Sequence, residues 1–320
     1  MKRIAQGLVC VVAMMATACA SAADPGGVTR IIVPFTAGGG VDSLARVLSR
    51  SLQQQLGSPV IVENKPGAGG NIATSYVAAA APDGKTLLLT TNGLVINPIV
   101  YSNTDYNART SLAPIGMLAE SPVVFVTPSN SPFHTLSDVI KLARSGAGRF
   151  SYASCGAGNI HHFAGELLKS MANIDIVHVP YKGCSQAAND VISRQTDLGV
   201  ISLTSIAPYL GNRLRALAVT SAKRSELLPA VPTVAEASGM DGYALTGWYA
   251  MLAPRNTPKQ VVDSLSRMLN AALKDREVRA NLASSHMQPI GNTPVELAKF
   301  IDEDDGRMRE IARKSGIRLD

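Results

Sequence analysis

Three glycine-rich runs hold the residues of this chain best placed to do chemistry. They are Thr36-Ala37-Gly38-Gly39-Gly40, Gly67-Ala68-Gly69-Gly70-Asn71 and Ser154-Cys155-Gly156-Ala157-Gly158-Asn159. Each follows an apolar, strand-like segment and precedes a helical pattern. Glycine at such a junction lets the main chain approach a bound molecule closely. The helix that follows aims unpaired N–H groups and a partial positive charge at the same point. The chemistry this serves is the holding of a small anion without a charged side chain. The competing explanation is geometric: a tight strand-to-helix turn uses glycine whether or not anything binds there.

From the first run the expected contacts are Phe35, Thr36, Ala37, Gly38, Gly39 and Gly40. Asp42 is expected to cap the helix, because a carboxylate aimed at an anion would repel it. Gly69 and Asn92 stand at two more strand ends of the same lobe, the edge where α/β sheets take their ligands. In the third run Ser154 offers a hydroxyl, and Gly156, Gly158 and Asn159 offer N–H groups. His162 either donates to the ligand or braces the loop, and His161 is expected to face solvent. Tyr181 and Thr204 add hydroxyls at further strand ends. Lys182 either steers anions or is a solvated surface lysine.

Catalysis fits these residues poorly. Cys155 with His161 or His162 suggests a thiol nucleophile and its base, but no third, orienting acid is evident. Pairing of Cys155 with Cys184 would remove the thiol. There is no G-x-S-x-G elbow, no G-x-G-x-x-G after the first strand and no G-x-x-x-x-G-K-[ST] loop. Histidine and cysteine are too sparse and too badly spaced for a zinc site. The reading is a protein with no catalytic residues, cofactor or metal.

The ends and the composition point the same way. Met1 to about Ala23 reads as a signal peptide: Lys2 and Arg3, then an apolar stretch from Leu8 to Met15, then small residues that allow cleavage near Ala20 to Ala23. Acylation at Cys19 ranks second, because Ala16 stands where such sites want leucine. The expected compartment is the periplasm. The full chain of 320 residues carries a formal charge of +6, and removing Lys2 and Arg3 leaves +4. That mild positive balance suits anionic solutes. It lacks the dense basic and aromatic clustering of a nucleic-acid binder. Trp248 is the one tryptophan, so aromatic platforms for sugars or bases are not expected. Of four cysteines, only Cys155 and Cys184 remain after cleavage; an oxidising compartment permits their pairing, and two free thiols are the alternative.

Short apolar runs alternate with helical patterns along the chain, which argues an α/β fold with mostly parallel sheets flanked by helices. About 300 residues exceed one simple core, so two lobes are expected. Val41, Leu44, Ala45, Leu48, Leu52 and Leu56 mark the first helix, and Thr86 to Thr90 a strand buried on both faces. The proline-rich bend Pro128 to Pro132 is assigned as one crossing between lobes, and Pro229 to Thr233 is placed near the return. This gives residues 24–127 with 230–320 as the first lobe and 128–229 as the second. Hinged lobes with loops facing a cleft describe a flytrap-like solute-binding protein.

Several segments, in order, resemble the extracytoplasmic receptors of tripartite tricarboxylate transporters, the Bug family. They are Val33-Pro34-Phe35 with Gly38-Gly39 and Asp42; Val62 to Gly70; Ala81-Pro82-Asp83-Gly84; Ser154 to Gly158 with His162; Val179 to Gly183; and Arg215 to Val219 with Val231-Pro232-Thr233. The resemblance covers Arg30 nearly to Asp320. It implies a two-lobe (type II-like) periplasmic binding protein, a monomer, that hands a small carboxylate to membrane permease subunits. A receptor that shows its closed form to a sensor kinase is the alternative. Thr36-Ala37 departs from the family's proline before the double glycine, which bears on ligand identity. Asp304 and Met308 stand in place of a glutamate and a tryptophan, departures expected to affect packing only.

Overall fold

β1 (Thr29–Val33) is the first element of the described residues, followed by α1 (Gly40–Leu56), β2 (Val60–Asn64), α2 (Asn71–Ala78), β3 (Thr86–Thr91), α3 (Gly93–Val100), β4 (Leu112–Ser121) and β5 (Val123–Pro128). Then come α4 (Leu136–Ser145), β6 (Ser151–Ser154), α5 (Ile160–Ala172), β7 (Val177–Pro180), α6 (Cys184–Ile192), β8 (Leu198–Ser202), α7 (Leu203–Ile206), β9 (Leu214–Val219) and α8 (Val234–Ser238). β10 (Gly247–Pro254), α9 (Lys259–Ala272), α10 (Arg276–Ser284), β11 (Gln288–Pro289) and α11 (Pro294–Ser315) complete it. This computed structural model describes residues 27–146 and 150–319. The expected signal peptide, its cleavage sites and Cys19 lie outside the described residues. Among those residues no helix is long and apolar enough to cross a membrane.

Periodicity explains the first elements. α1 buries Leu44, Ala45, Val47, Leu48 and Leu52 on one stripe, and stops where Gly57 turns left-handed (φ 66°) and donates to the Gln53 carbonyl. β3 is covered on both faces, with Leu87, Leu88 and Leu89 wholly buried. α3 was hidden from periodicity by Pro98 within it.

Two mixed sheets result. The first runs β11-β4-β10-β3-β1-β2 and the second β7-β6-β8-β5-β9. β2, β1 and β3 are parallel, as are β7, β6 and β8. β10 lies antiparallel between β3 and β4, and β5 antiparallel between β8 and β9. The reversed inner strands, β10 and β5, are the ones that have just arrived from the other sheet; the two-residue edge strand β11 also runs antiparallel to β4.

The passages between sheets differ from the expected ones. β5 belongs wholly to the second sheet, so the chain crosses at Pro122, not in the Pro128 to Pro132 bend. That bend is a turn of the second lobe, its carbonyls at Ser129, Ser131 and Phe133 held by the Arg215 guanidinium. Pro229 to Thr233 is not the return either. Thr233 bridges to Val219 and caps α8, which packs on α4. The chain returns between Leu245 and Gly247. An apolar strand reads alike in either sheet, which is why Val123 to Val126 did not reveal its partner.

Polar groups bind the crossings together. Leu245 exchanges hydrogen bonds with Thr220: its N–H reaches the Thr220 carbonyl at 2.8 Å and its carbonyl takes the Thr220 hydroxyl at 2.7 Å. Asn92, 3% exposed, donates to the Thr246 carbonyl (3.0 Å) and accepts from the Trp248 N–H (3.1 Å). The buried Trp248 indole donates to Asp304 Oδ2 on α11 at 2.8 Å. Asp304 therefore fastens the return strand, a larger role than packing. Burial pushes its carboxyl up, against the pull of the indole bond and Arg307. Asp304→Ala should strand the indole N–H and cost about 1–3 kcal/mol, read as a lowered urea midpoint. Asp304→Asn keeps an acceptor and should lose less; equal losses would show that the bond contributes nothing.

Candidate functional site

Strand register sets where the glycine loops stand. The C-terminal end of β3 pairs with the start of β10 (Thr91 with Tyr249), and the C-terminal end of β8 with the start of β5 (Ser202 with Val123). Both carboxyl edges therefore abut the crossings, with the loops after β1–β3 on one lobe and those after β6–β8 on the other. Among the described residues no hydrogen bond joins the Phe35–Gly40 loop to the Ser154–Asn159 loop. A cavity of about 460 Å³ at the hinge, lined by Pro122, Thr246, Phe300 and Arg307 among others, includes none of the expected contacts.

In the first lobe, Thr36 to Gly40 are all exposed and Phe35 is half-buried. Asp42 does not cap α1. The N-cap is Gly39, which has no side-chain acceptor. Asp42 is buried beneath the loop, taking the Gly38 N–H at 3.0 Å, Arg46 at 2.9 and 3.0 Å and the Asn64 amide at 2.9 Å. Asn64 also holds the Phe35 carbonyl (3.0 Å). Burial opposes the charge, but Arg46, the Gly38 N–H and Asn64 outweigh it and hold Asp42 at about 2. Gly38 sits at φ 88°, a conformation that favours glycine. The N–H groups of Thr36, Ala37 and Gly40 take no hydrogen bond among the described residues. Gly69 is exposed at φ 64°, its carbonyl held by Asn97 at 2.9 Å. Asn92, expected as a contact, uses both ends of its amide on the hinge strand.

The second-lobe loop uses its polar side chains internally. Ser154 is wholly buried; its hydroxyl bonds the Gly156 carbonyl (2.9 Å) and meets His178 Nε2 at 2.7 Å. Asn159 caps α5, accepting from the N–H groups of His161 and His162. His162 Nδ1 accepts the Gly158 N–H at 3.1 Å, and its ring stacks on His178 with centroids 3.9 Å apart. The His162 ring thus braces the loop. Gly158 (φ 63°) is buried: an added Cβ would lie 2.4 Å from Leu319 Cδ1. Ala157 is exposed, and its N–H takes no hydrogen bond among the described residues.

His161 is buried rather than solvent-facing. Its Nε2 meets the Ser202 hydroxyl at 2.6 Å, a partner in β8 that sequence distance concealed. Cys155 and Cys184 are joined as a disulfide, tying the loop to the start of α6. The thiol-nucleophile reading therefore has no thiolate. Tyr181 is half-buried and its hydroxyl is pushed up to about 12, first by burial and then by Asp190. Thr204 is half-buried on α7, and Lys182 is exposed with no ion pair among the described residues.

Residues 44–317 match the family model described as tripartite tricarboxylate transporter family receptor. The periplasmic binding protein BugD superposes with a TM-score of 0.75 at 34% identity, covering 91% of this chain and 98% of that one. Rpa4515 of R. palustris, solved with adipate, gives 0.78 at 32%, covering 91% and 97%. MatC of Rhodopseudomonas palustris, solved with bound malate, gives 0.73 at 28%, covering 89% and 98%.

Three histidines under the second-lobe loop are held neutral. Burial lowers His161 to about 4 and, with His162 and Lys169 adding to it, His178 to about 3. Burial also lowers His162, against the pull of Glu166. In the unfolded chain these rings titrate near about 6.5. Below that value the unfolded state binds more protons, so stability is complete above pH of about 6.5 and drains away toward pH of about 4 and below. Urea denaturation from pH 7.5 to 4 should show this fall, and His178→Gln should flatten it. An unchanged slope in that variant would mean that His178 does not carry the acid sensitivity.

Proposed function

The chain belongs to the tripartite tricarboxylate transporter receptor family, and on that premise we propose that it captures a small carboxylate between its lobes and hands it to membrane permease subunits. The observation that carries this is the exposed Thr36–Gly40 loop at the start of α1, braced from below by a buried carboxylate and carrying no cationic side chain. Its open N–H groups and the helix terminus supply the positive end of the interaction. The second lobe contributes the N–H of Ala157, with the hydroxyls of Tyr181 and Thr204 at the rim, while both main-chain groups of Gly156 are held by the Ser154 hydroxyl. Ser154, Gly158, Asn159, His162 and Asn92 hold the frame. The adipate and malate of the two neighbours support a small aliphatic dicarboxylate as the ligand class. Export to the periplasm, with the leader removed near Ala20 to Ala23, completes the reading.

A thermal-shift screen of the leader-free protein tests it, with mono-, di- and tricarboxylates set against sugars and cationic amino acids. A ligand at a hundred times its Kd should add about 2.7 kcal/mol of stability. Stabilisation by sugars or cationic amino acids alone would refute the anion reading. Gly39→Val probes the loop itself. Gly39 lies at φ −81°, and an added Cβ meets only the Thr36 carbonyl oxygen, at 3.8 Å. The fold should therefore stand while the ligand-induced shift disappears. Undiminished binding in this variant would make the loop a turn and nothing more.

A further inference from the structure

The fold gathers three metal-ligating side chains that the sequence scatters. Cys155 lies in the loop after β6, His161 in the first turn of α5 and Cys184 at the start of α6; their ligand atoms all lie within 4.8 Å of one another. The two cysteines are joined as a disulfide. His161 Nδ1 lies 3.3 Å from Asn159 Oδ1. That oxygen accepts two backbone N–H groups, which fixes it as an acceptor, so Nδ1 carries the proton and Nε2 the lone pair. The lone pair faces the Ser202 hydroxyl at 2.6 Å and Cys184 Sγ at 3.9 Å. Burial and a hydroxyl partner alone would describe an ordinary core histidine. A lone pair with one sulfur at 3.9 Å and both within 4.8 Å describes something more.

We propose that Cys155, Cys184 and His161 bind a thiophilic divalent cation of the zinc type when the disulfide is reduced. The same two loops then have alternative cross-links, one covalent and one through a metal. A dithiol supplies the two electrons and two protons: the S–S bond breaks, two S–H groups form, and the dithiol closes to its own disulfide. The cation displaces both thiol protons to water and takes two thiolates and the imidazole, with a fourth position left open. Zn–S of about 2.3 Å and Zn–N of about 2.0 Å put sulfur and nitrogen about 3.5 Å apart in a tetrahedral shell. The 3.9 Å between Cys184 and His161 is already close to that. The sulfurs must separate to about 3.8 Å, which rotation about Cα–Cβ allows on backbones whose Cα atoms stand 4.3 Å apart. Asn159 holds the ring at Nδ1, and the metal replaces the Ser202 hydroxyl as the partner of the Nε2 lone pair. The inference does not depend on the ligand reading above.

The test uses the exported chain, reduced anaerobically with a dithiol, freed of it by gel filtration and titrated with cobalt(II). One cobalt per chain is expected, with a thiolate-to-cobalt charge-transfer band and the strong visible absorption of a tetrahedral site, both lost when zinc(II) is added. The oxidised protein should show neither. Cys184→Ser should abolish the band, and His161→Gln should weaken binding by about tenfold or more. Ser202→Ala, which frees the lone pair without removing a ligand, should bind at least as tightly as the reduced parent chain. Absence of stoichiometric cobalt in the reduced chain overturns the proposal, as does unfolding of the chain on reduction. Binding undiminished in a folded His161→Gln variant does the same. Should that variant fail to fold, weakened binding in Ser202→Ala decides against the site.

Discussion

The structure depends on how the return strand is held as it passes between the sheets. A crossing carries backbone groups out of one ladder before they enter the next, and buried N–H and C=O groups without partners are costly. Here Asn92 serves the Thr246 carbonyl and the Trp248 N–H together, while Thr220 serves Leu245 on both sides. Trp248 is anchored in turn to Asp304 on the last long helix. These few bonds fix where β10 enters the first sheet. They thereby fix where the carboxyl ends of β1 and β3 stand relative to those of β6 and β8. The hinge and the carboxyl edges that carry the glycine loops are set by the same short stretch of chain.

Polar side chains near the loops are used to build them. Asp42, Asn64, Ser154, Asn159 and His162 each bond main-chain groups of their own or a neighbouring loop. What remains toward solvent is peptide N–H at Thr36, Ala37, Gly40 and Ala157. On the proposed function, recognition by fixed dipoles with no flexible cation to adjust makes selectivity a matter of distance between anionic groups and of shape. A long arginine would tolerate ligands of many lengths; a rigid backbone cradle does not.

Much of the architecture was legible because burial leaves a period. The spacing of Leu44, Leu48 and Leu52 marked α1, and the unbroken Leu87 to Leu89 marked a central strand. The glycine runs marked the loops for a related reason: positive φ at Gly38, Gly69, Gly156 and Gly158 favours residues without a Cβ. Other features left no local trace. Val123 to Val126 is apolar whichever sheet it joins, so the crossing was displaced into the next proline-rich turn. His161 looked solvent-facing, since its partner Ser202 comes from β8, far along the chain. Asp42 has the residue type of a cap, yet it sits three positions beyond the N-cap Gly39 and turns back to Gly38. Residue type announced polar duty in each case; only tertiary structure assigned the partner.

The interleaving of β10 has a consequence for synthesis. The second sheet is drawn from one continuous stretch, β5 through β9, and can close once that stretch exists. The first cannot, because β3 and β4 meet only through β10. The earliest residues made must therefore wait, with a gap in their sheet, while the later-made lobe finishes. The wait runs to the chain's far end: the Leu319 N–H bonds the Val100 carbonyl at 2.9 Å, and its side chain covers Gly158. Until Leu319 is in place, the contact it makes between Val100 of the first lobe and Gly158 of the second is missing.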